Sequence, residues 1–155
     1  MIFDLPSPFH MRPAVGGDVE ALFSIHRSAM HEYVDRIWGW DDDWQQNQFF
    51  KDFNLLNHCL AICKADEPVG FICLQTDPDA ILIRTIELAK DYQGRGIANA
   101  LFEQLIDVSE DSGQSIQLQV FKINDRARCL YEHLGFVVTG QTEYHYQMAF
   151  RAYTH

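Results

Sequence analysis

An apolar run from Ile81 to Ala89 passes directly into Asp91-Tyr92-Gln93-Gly94-Arg95-Gly96-Ile97-Ala98-Asn99. From there the chain enters a helical pattern in which Ile97, Leu101, Leu105 and Val108 recur at spacings of four, four and three. This strand, glycine turn and helix junction constrains the chain more than any other stretch. The first amide N–H groups of a helix have no partners inside it. They point outward, carry the positive end of the helix dipole and suit an anion such as phosphate. Gly94 and Gly96 lack a Cβ, so a phosphate can come close to the backbone, and Arg95 adds positive charge. A Gly-x-Gly turn is also an ordinary turn, and from the loop alone both readings stand. Two familiar phosphate loops do not fit. The Walker pattern needs Gly-Lys-Ser/Thr where Ile97-Ala98 stands. The dinucleotide pattern needs a third glycine where Asn99 stands.

Composition narrows the partners. A chain of 155 residues is expected to form one domain, residues 1–155, with a real core. No run of eighteen apolar residues occurs, so no membrane span or membrane partner is expected. The opening Met1-Ile2-Phe3-Asp4-Leu5-Pro6 lacks the basic and apolar regions of a signal peptide, and a cytoplasmic location is expected. Asp and Glu outnumber Lys and Arg 22 to 12, a formal net charge of −10. That argues against nucleic acid as a partner, since phosphate binding needs a basic surface. It is compatible with a cationic, amine-bearing substrate and equally with an acidic surface that only confers solubility. Cys59, Cys63, Cys73 and Cys129 show no CxxC spacing. They are expected to be free thiols, mostly buried, in a reducing compartment rather than disulfides or zinc ligands. The seven histidines form no HExxH pattern, and no metal is expected.

The chain reads in order as follows. Pro8 to Ala14 is a short first strand. Asp18 is placed to N-cap a helix with Val19, Leu22, Phe23, Ile25, Ala29 and Met30 on its apolar face, running towards Ile37. Gly39 stops it, and Asp42 or Asp43 caps a second helix, with Gln45 and Gln46 as capping-box partners and Phe49, Phe50 and Phe53 buried. His58–Lys64 and Val69–Thr76 form a hairpin. In the Ile81–Ala89 run, Ile81 and Ile83 hold one phase of the two-residue period, Ile86 and Leu88 the other. A β-bulge near Arg84-Thr85-Ile86 would produce that slip; so would a strand buried on both faces. The helix from about Gly96 to Asp111 ends at Ser112-Gly113, and Ile116, Leu118, Val120 and Ile123 form the next strand. Asn124-Asp125 caps a short helix, and two strands close the chain. The order is β-α-α-β-β-β-α-β-α-β-β, a mixed α/β fold.

Gln93, Gly96 and Ala98 fill a Gln/Arg-x-x-Gly-x-Gly/Ala spacing. Downstream, Asn124, Ala127, Leu130, Tyr131, Gly135 and Phe136 fill Asn-x-x-Ala-x-x-Leu-Tyr-x-x-x-Gly-Phe. Together these resemble the GCN5-related N-acetyltransferase (GNAT) family from about Ile81 to Phe136; the N-terminal half matches in layout. The resemblance implies a predominantly antiparallel central sheet flanked by helices, splayed beside the glycine loop to hold an acyl-CoA arm. It implies acetyl-CoA as co-substrate, with Gln93, Gly94, Arg95, Gly96, Ile97, Ala98 and Asn99 around the pyrophosphate. Ile86 and Leu88 would bond the pantetheine arm through their backbone, and Asn124 would touch it, although a helix N-cap also explains Asn124. Tyr131 is implied as the proton donor to the departing thiolate; packing beside Leu130 and Leu134 explains it too.

Acetyl transfer to an amine needs a base, because an ammonium has no lone pair. Glu87, on the strand flanking the cleft, is the first candidate, and a carboxylate in a partly apolar site has a raised pKa. A solvated strand position is its alternative. Glu32 and His145 are weaker candidates on the acceptor side, and a water chain can replace a single base. Trp38 and Trp40, among three aspartates, suit an ammonium group or serve as core anchors. A covalent route through Cys129 is disfavoured by its apolar helix position. The expected activity is direct acetyl transfer to a primary amine, a small molecule or a peptide, in a fold whose members are often dimers. The alternative is a non-catalytic acyl-CoA-binding regulatory module.

Overall fold

The computed structural model describes residues 3–55 and 58–152. Its elements are β1 (Phe9–Pro13), α1 (Val19–Trp38), α2 (Asp42–Leu55), β2 (Cys59–Lys64), β3 (Glu67–Thr76), β4 (Ala80–Leu88), α3 (Ile97–Ser112), β5 (Ser115–Phe121), α4 (Asp125–His133), β6 (Val137–Gln141) and β7 (His145–Phe150). This is the mixed α/β order read from the sequence. The seven strands follow the order β1-β2-β3-β4-β5-β7-β6 in a mostly antiparallel sheet. The exception is β4–β5, which runs parallel. Two compact units make up the chain: residues up to Cys73 with Thr85–Ala98, and Leu74–Arg84 with the residues from Asn99 onward.

In the first unit, β2 pairs antiparallel with both β1 and β3, with Phe9 opposite Lys64 and Cys59 opposite Cys73. Its core gathers Leu22, Ile25, Cys59, Phe71 and Cys73, with Ala14, Phe49, Phe53 and Ala89 packed against them. The expectation of free thiols fails here: Cys59 and Cys73 are joined in a disulfide. Sequence spacing does not reveal the pair, because the hairpin register sets the two residues face to face. Cys63 is free and fully buried, and burial pushes its thiol pKa up. Cys129 is free and exposed, not at an apolar position as the helical pattern suggested.

The two helix starts differ from expectation for electrostatic reasons. The Asp18 carboxylate does not cap α1. It accepts two bonds from the Arg12 guanidinium, at 2.7 and 2.8 Å, and one from the Val15 N–H at 2.8 Å. A bidentate charge-assisted pair outweighs one bond to a helix amide. At α2 the cap is Asp41, whose carboxylate accepts from the Trp44 N–H at 3.1 Å. Asp42 instead accepts from Arg27, at 2.7 and 3.0 Å, and from the Trp40 indole N–H at 3.1 Å. Gly39 does end α1: it sits at φ 82° and donates to the Asp35 carbonyl. Phe49, Phe50 and Phe53 are half-buried rather than buried.

In the second unit the start of β4 pairs with β5 through Ala80, Ile81 and Leu82 against Ser115, Ile116 and Gln117. β5 pairs with β7, and β7 with β6. β5 stops at Phe121, short of Ile123. On α3, Leu101, Phe102 and Leu105 are fully buried. On α4 the Asn124 side chain accepts from the Ala127 N–H at 3.1 Å, the cap expected from sequence.

Candidate active site

The glycine loop is held from both ends. β4 runs into a single 3-10 turn at Lys90–Tyr92, and the chain then takes φ 75° at Gly94 and 84° at Gly96 before α3. Residues other than glycine resist that region. A Cβ placed on Gly96 would meet nothing within 4 Å, so the backbone there faces open space rather than packed side chains. Gln93 Nε2 donates to the Leu88 carbonyl at 2.9 Å, tying the loop to the strand end. Arg95 Nε donates to the Asp91 carbonyl at 2.9 Å, and its guanidinium lies 5.0 Å over the Tyr92 ring. The Lys90 N–H donates to Ser28 Oγ on α1 at 3.0 Å. Behind the strand end, the Ala89 N–H donates to the Val69 carbonyl at 3.0 Å. Gly70 on β3 lies so close that a Cβ there would fall 2.5 Å from Leu88 Cδ2 and 2.7 Å from the Glu87 carbonyl oxygen. Ile97 is buried while Gly94, Arg95, Gly96 and Asn99 are exposed, which leaves the start of α3 open to an anion.

Glu87 is no solvated strand residue. It shares the two-residue phase of the buried Ile81 and Ile83 and is only 6% exposed. Its Oε1 accepts from His26 Nδ1 on α1 at 2.7 Å. The His26 ring stacks on Phe49, centroids 5.2 Å apart, and lies 6.0 Å from Trp40 and 6.3 Å from Phe23. Burial alone would lower the His26 pKa and is the largest single influence. The Glu87 hydrogen bond, the Glu87 charge and a hydrogen bond with Gln45 together outweigh it and raise the pKa above the ordinary 6.5. His26 escaped the sequence reading, and Gln45 and Phe49 were read there only as a capping partner and a buried helix residue. The available signal was a histidine four residues after Leu22 on an apolar helical stripe, matched by a lone carboxylate in an apolar strand phase.

The remaining candidates divide between the units. Trp40 joins the His26 cluster; its ring lies near Phe23 at 6.5 Å and His31 at 5.0 Å. Trp38 is 55% exposed, so it is no core anchor. Glu32 is exposed, with one oxygen 3.9 Å from Lys90 Nζ. Ile86 is half-buried and Leu88 buried. In the second unit Tyr131 is buried against Phe102 at 5.4 Å and Phe136 at 5.8 Å. Burial pushes its phenol pKa up to about 12, so the hydroxyl keeps its proton at neutral pH. Asn124 caps the same short helix, α4. His145 stacks on Phe121 at 4.5 Å, and burial lowers its pKa. Among the described residues no group of three or more His, Cys, Asp or Glu side chains is arranged to hold a metal ion. No described helix is long and apolar enough to cross a membrane.

Comparison with known proteins bears on the family and the fold. The profile of the acetyltransferase (GNAT) family matches residues 19–136. N-alpha-acetyltransferase RimI of Mycobacterium tuberculosis is 29% identical over 114 residues, which cover 70% of this chain and 71% of that protein. The ribosomal protein bS18-alanine N-acetyltransferase of Salmonella typhimurium is 32% identical over 94 residues, which cover 60% of this chain and 64% of that protein. Among solved structures, the PaiA N-acetyltransferase of Thermoplasma acidophilum, in complex with coenzyme A, superposes with a TM-score of 0.76 at 17% identity. It covers 93% of this chain and 99% of that one. At that identity the likeness speaks to the fold.

Proposed function

Since the chain belongs to the GNAT acetyltransferase family, we propose that it transfers the acetyl group of acetyl-CoA directly to a primary amine. The observation that carries this reading is the loop Gln93–Ala98: two positive-φ glycines, open space at Gly96 and a helix start exposed to an anion. The loop amides and Arg95 would hold the pyrophosphate, with Ile86 and Leu88 along the arm; a contact of Asn124 with the arm rests on the family resemblance alone. The bound co-substrate supplies an activated acetyl thioester. Glu87 takes a proton from the ammonium, freeing the nitrogen lone pair for attack. The Leu88 backbone N–H stabilises the developing oxyanion. The family resemblance gives Tyr131, protonated at neutral pH, the role of donating to the thiolate as the C–S bond breaks.

The names of the two curated relatives support a peptide N-terminal amine as the acceptor, in one case an alanine of a ribosomal protein. A cationic small molecule suits the acidic net charge of −10 and remains the second class to screen. The first test is thermal unfolding with and without acetyl-CoA. Binding to the native state alone stabilises it by about 2.7 kcal/mol at a hundred-fold excess over Kd. A clear rise in Tm is expected, and Gly96→Glu should abolish most of it. No rise at millimolar acetyl-CoA would sink the reading.

A further inference from the structure

We propose that His26 is the positioning residue of the proton-accepting carboxylate, so that His26 and Glu87 enter the reaction as one hydrogen-bonded pair. The proposal rests on the acetyl-transfer reading above and deepens it. Three independent restraints converge on Glu87. Its backbone carbonyl is packed against Gly70 of β3, closely enough that a single added carbon would collide. The carbonyl of the next residue, Leu88, is bonded by Gln93 of the glycine loop. Its carboxylate is bonded through Oε1 by the His26 Nδ1–H. A strand residue with no task beyond its strand needs none of these. A carboxylate buried alone is costly, and an apolar residue in phase with Ile81 and Ile83 would fill the position without a partner. Among the described residues no hydrogen bond engages Glu87 Oε2, which leaves one oxygen fixed and the other able to take a proton.

The surroundings set how the pair titrates. Phe49, Trp40 and Phe23 wall the His26 ring. Glu87 reaches it from β4 and the neutral Gln45 from α2. The other charged or titratable groups nearby lie beyond those rings: His31 against Trp40, and Arg27 over Phe23. Arg27 is paired with Asp42. Glu87 is therefore the charge that governs His26. With His26 neutral, the Nδ1–H still orients Glu87, and the carboxylate accepts the substrate proton. The amine nitrogen then bonds to the acyl carbon; as the C–S bond breaks, the nitrogen sheds its second proton, one proton ends on the departing sulfur as the free thiol, and the proton on Glu87 passes to solvent after release. With His26 protonated, the Glu87 carboxylate is committed to an ion pair with the imidazolium at 2.7 Å rather than to the substrate proton. Activity should therefore fall on the acid side of a limb set by His26, whose pKa burial would lower but the Glu87 bond and charge, with Gln45, raise above the ordinary 6.5.

The test combines kcat/KM against pH with proton-detected NMR of the histidine rings. It uses the full chain, acetyl-CoA and a peptide with a free N-terminal alanine, with spermidine as the second probe. His26→Gln keeps a side-chain donor for Glu87 and removes the titration. Its acid limb should move to lower pH by a unit or more, with KM for acetyl-CoA unchanged. His26→Ala should lose at least ten-fold in kcat, and His26→Gln should recover most of it. In Glu87→Gln the NMR pKa of His26 should fall. An unmoved acid limb in His26→Gln, or full kcat in His26→Ala, overturns the proposal. Failure of acetyl-CoA to raise Tm in the wild type counts against the acetyl-transfer reading instead. In that case NMR judges the pair: the same His26 pKa in wild type and Glu87→Gln overturns the coupling as well.

Discussion

Asp18 shows how one carboxylate chooses between partners. Its position before α1 marks it as a helix cap, yet it turns back to Arg12 and Val15. The Arg12 hydrogen bonds outweigh burial and hold the Asp18 pKa below its usual value. A depressed carboxylate pKa stabilises the fold fully above the unfolded value, about 3.9, and that contribution is lost as pH falls through the folded one. Arg12→Ala should therefore lower the unfolding free energy at pH 7 by about 2 kcal/mol. The partial exposure of Arg12 keeps the figure below that of a fully buried pair. Denaturant unfolding from pH 7 down to pH 2 should show the wild-type advantage shrinking as Asp18 protonates. An advantage that stays constant with pH would refute the assignment. His26 obeys the opposite sign. Its raised pKa stabilises the fold below pH 6.5, with Glu87 ionised, and that contribution is lost as pH rises through the folded value.

At the scale of elements, the glycine junction was legible because its signals are local. The period changes from two to 3.6 within a few residues, and the helix observed, Ile97–Ser112, begins and ends one residue from the expected Gly96–Asp111. Glu87 was legible as a candidate, but its burial was not. Ile86 and Leu88 drew the apolar phase away from it, whereas Glu87 is buried beside Leu88 and Ile86 only half so. Its partner was not legible at all, since 61 residues separate His26 from Glu87 and only tertiary packing joins them. In the run Asp41-Asp42-Asp43 the sequence pointed to Asp42 or Asp43 as the cap, and it could not tell that Asp42 would pair with Arg27 and leave the cap to Asp41. The approach of β3 to β4 yields a prediction at this scale. Gly70→Ala should cost about 1–3 kcal/mol, because the new methyl group meets backbone as well as a side chain. It should also lower kcat while leaving acetyl-CoA binding detectable by Tm shift. An alanine variant with wild-type stability and rate would show that the strands separate without consequence.

For the molecule as a whole, the disulfide matters most for global unfolding. The Cys59–Cys73 link closes a loop with a sequence separation of 14. Loop-closure entropy for about 15 residues gives roughly 3 kcal/mol of stabilisation. A reductant should lower the unfolding free energy by that order, and the Cys59→Ser, Cys73→Ser double variant should match the reduced protein and ignore the reagent. Equal stability with and without reductant would refute the link. Gly96 carries a different consequence. Because no neighbour fills the space where its side chain would stand, folding polices this position only through backbone geometry, and occupancy by a ligand does the rest. A descendant of this chain that ceased to bind its donor could take larger residues there at the cost of backbone strain alone, with no clash against a neighbour. The glycine's persistence or loss among future relatives would then serve as a record of whether the reaction is still being run.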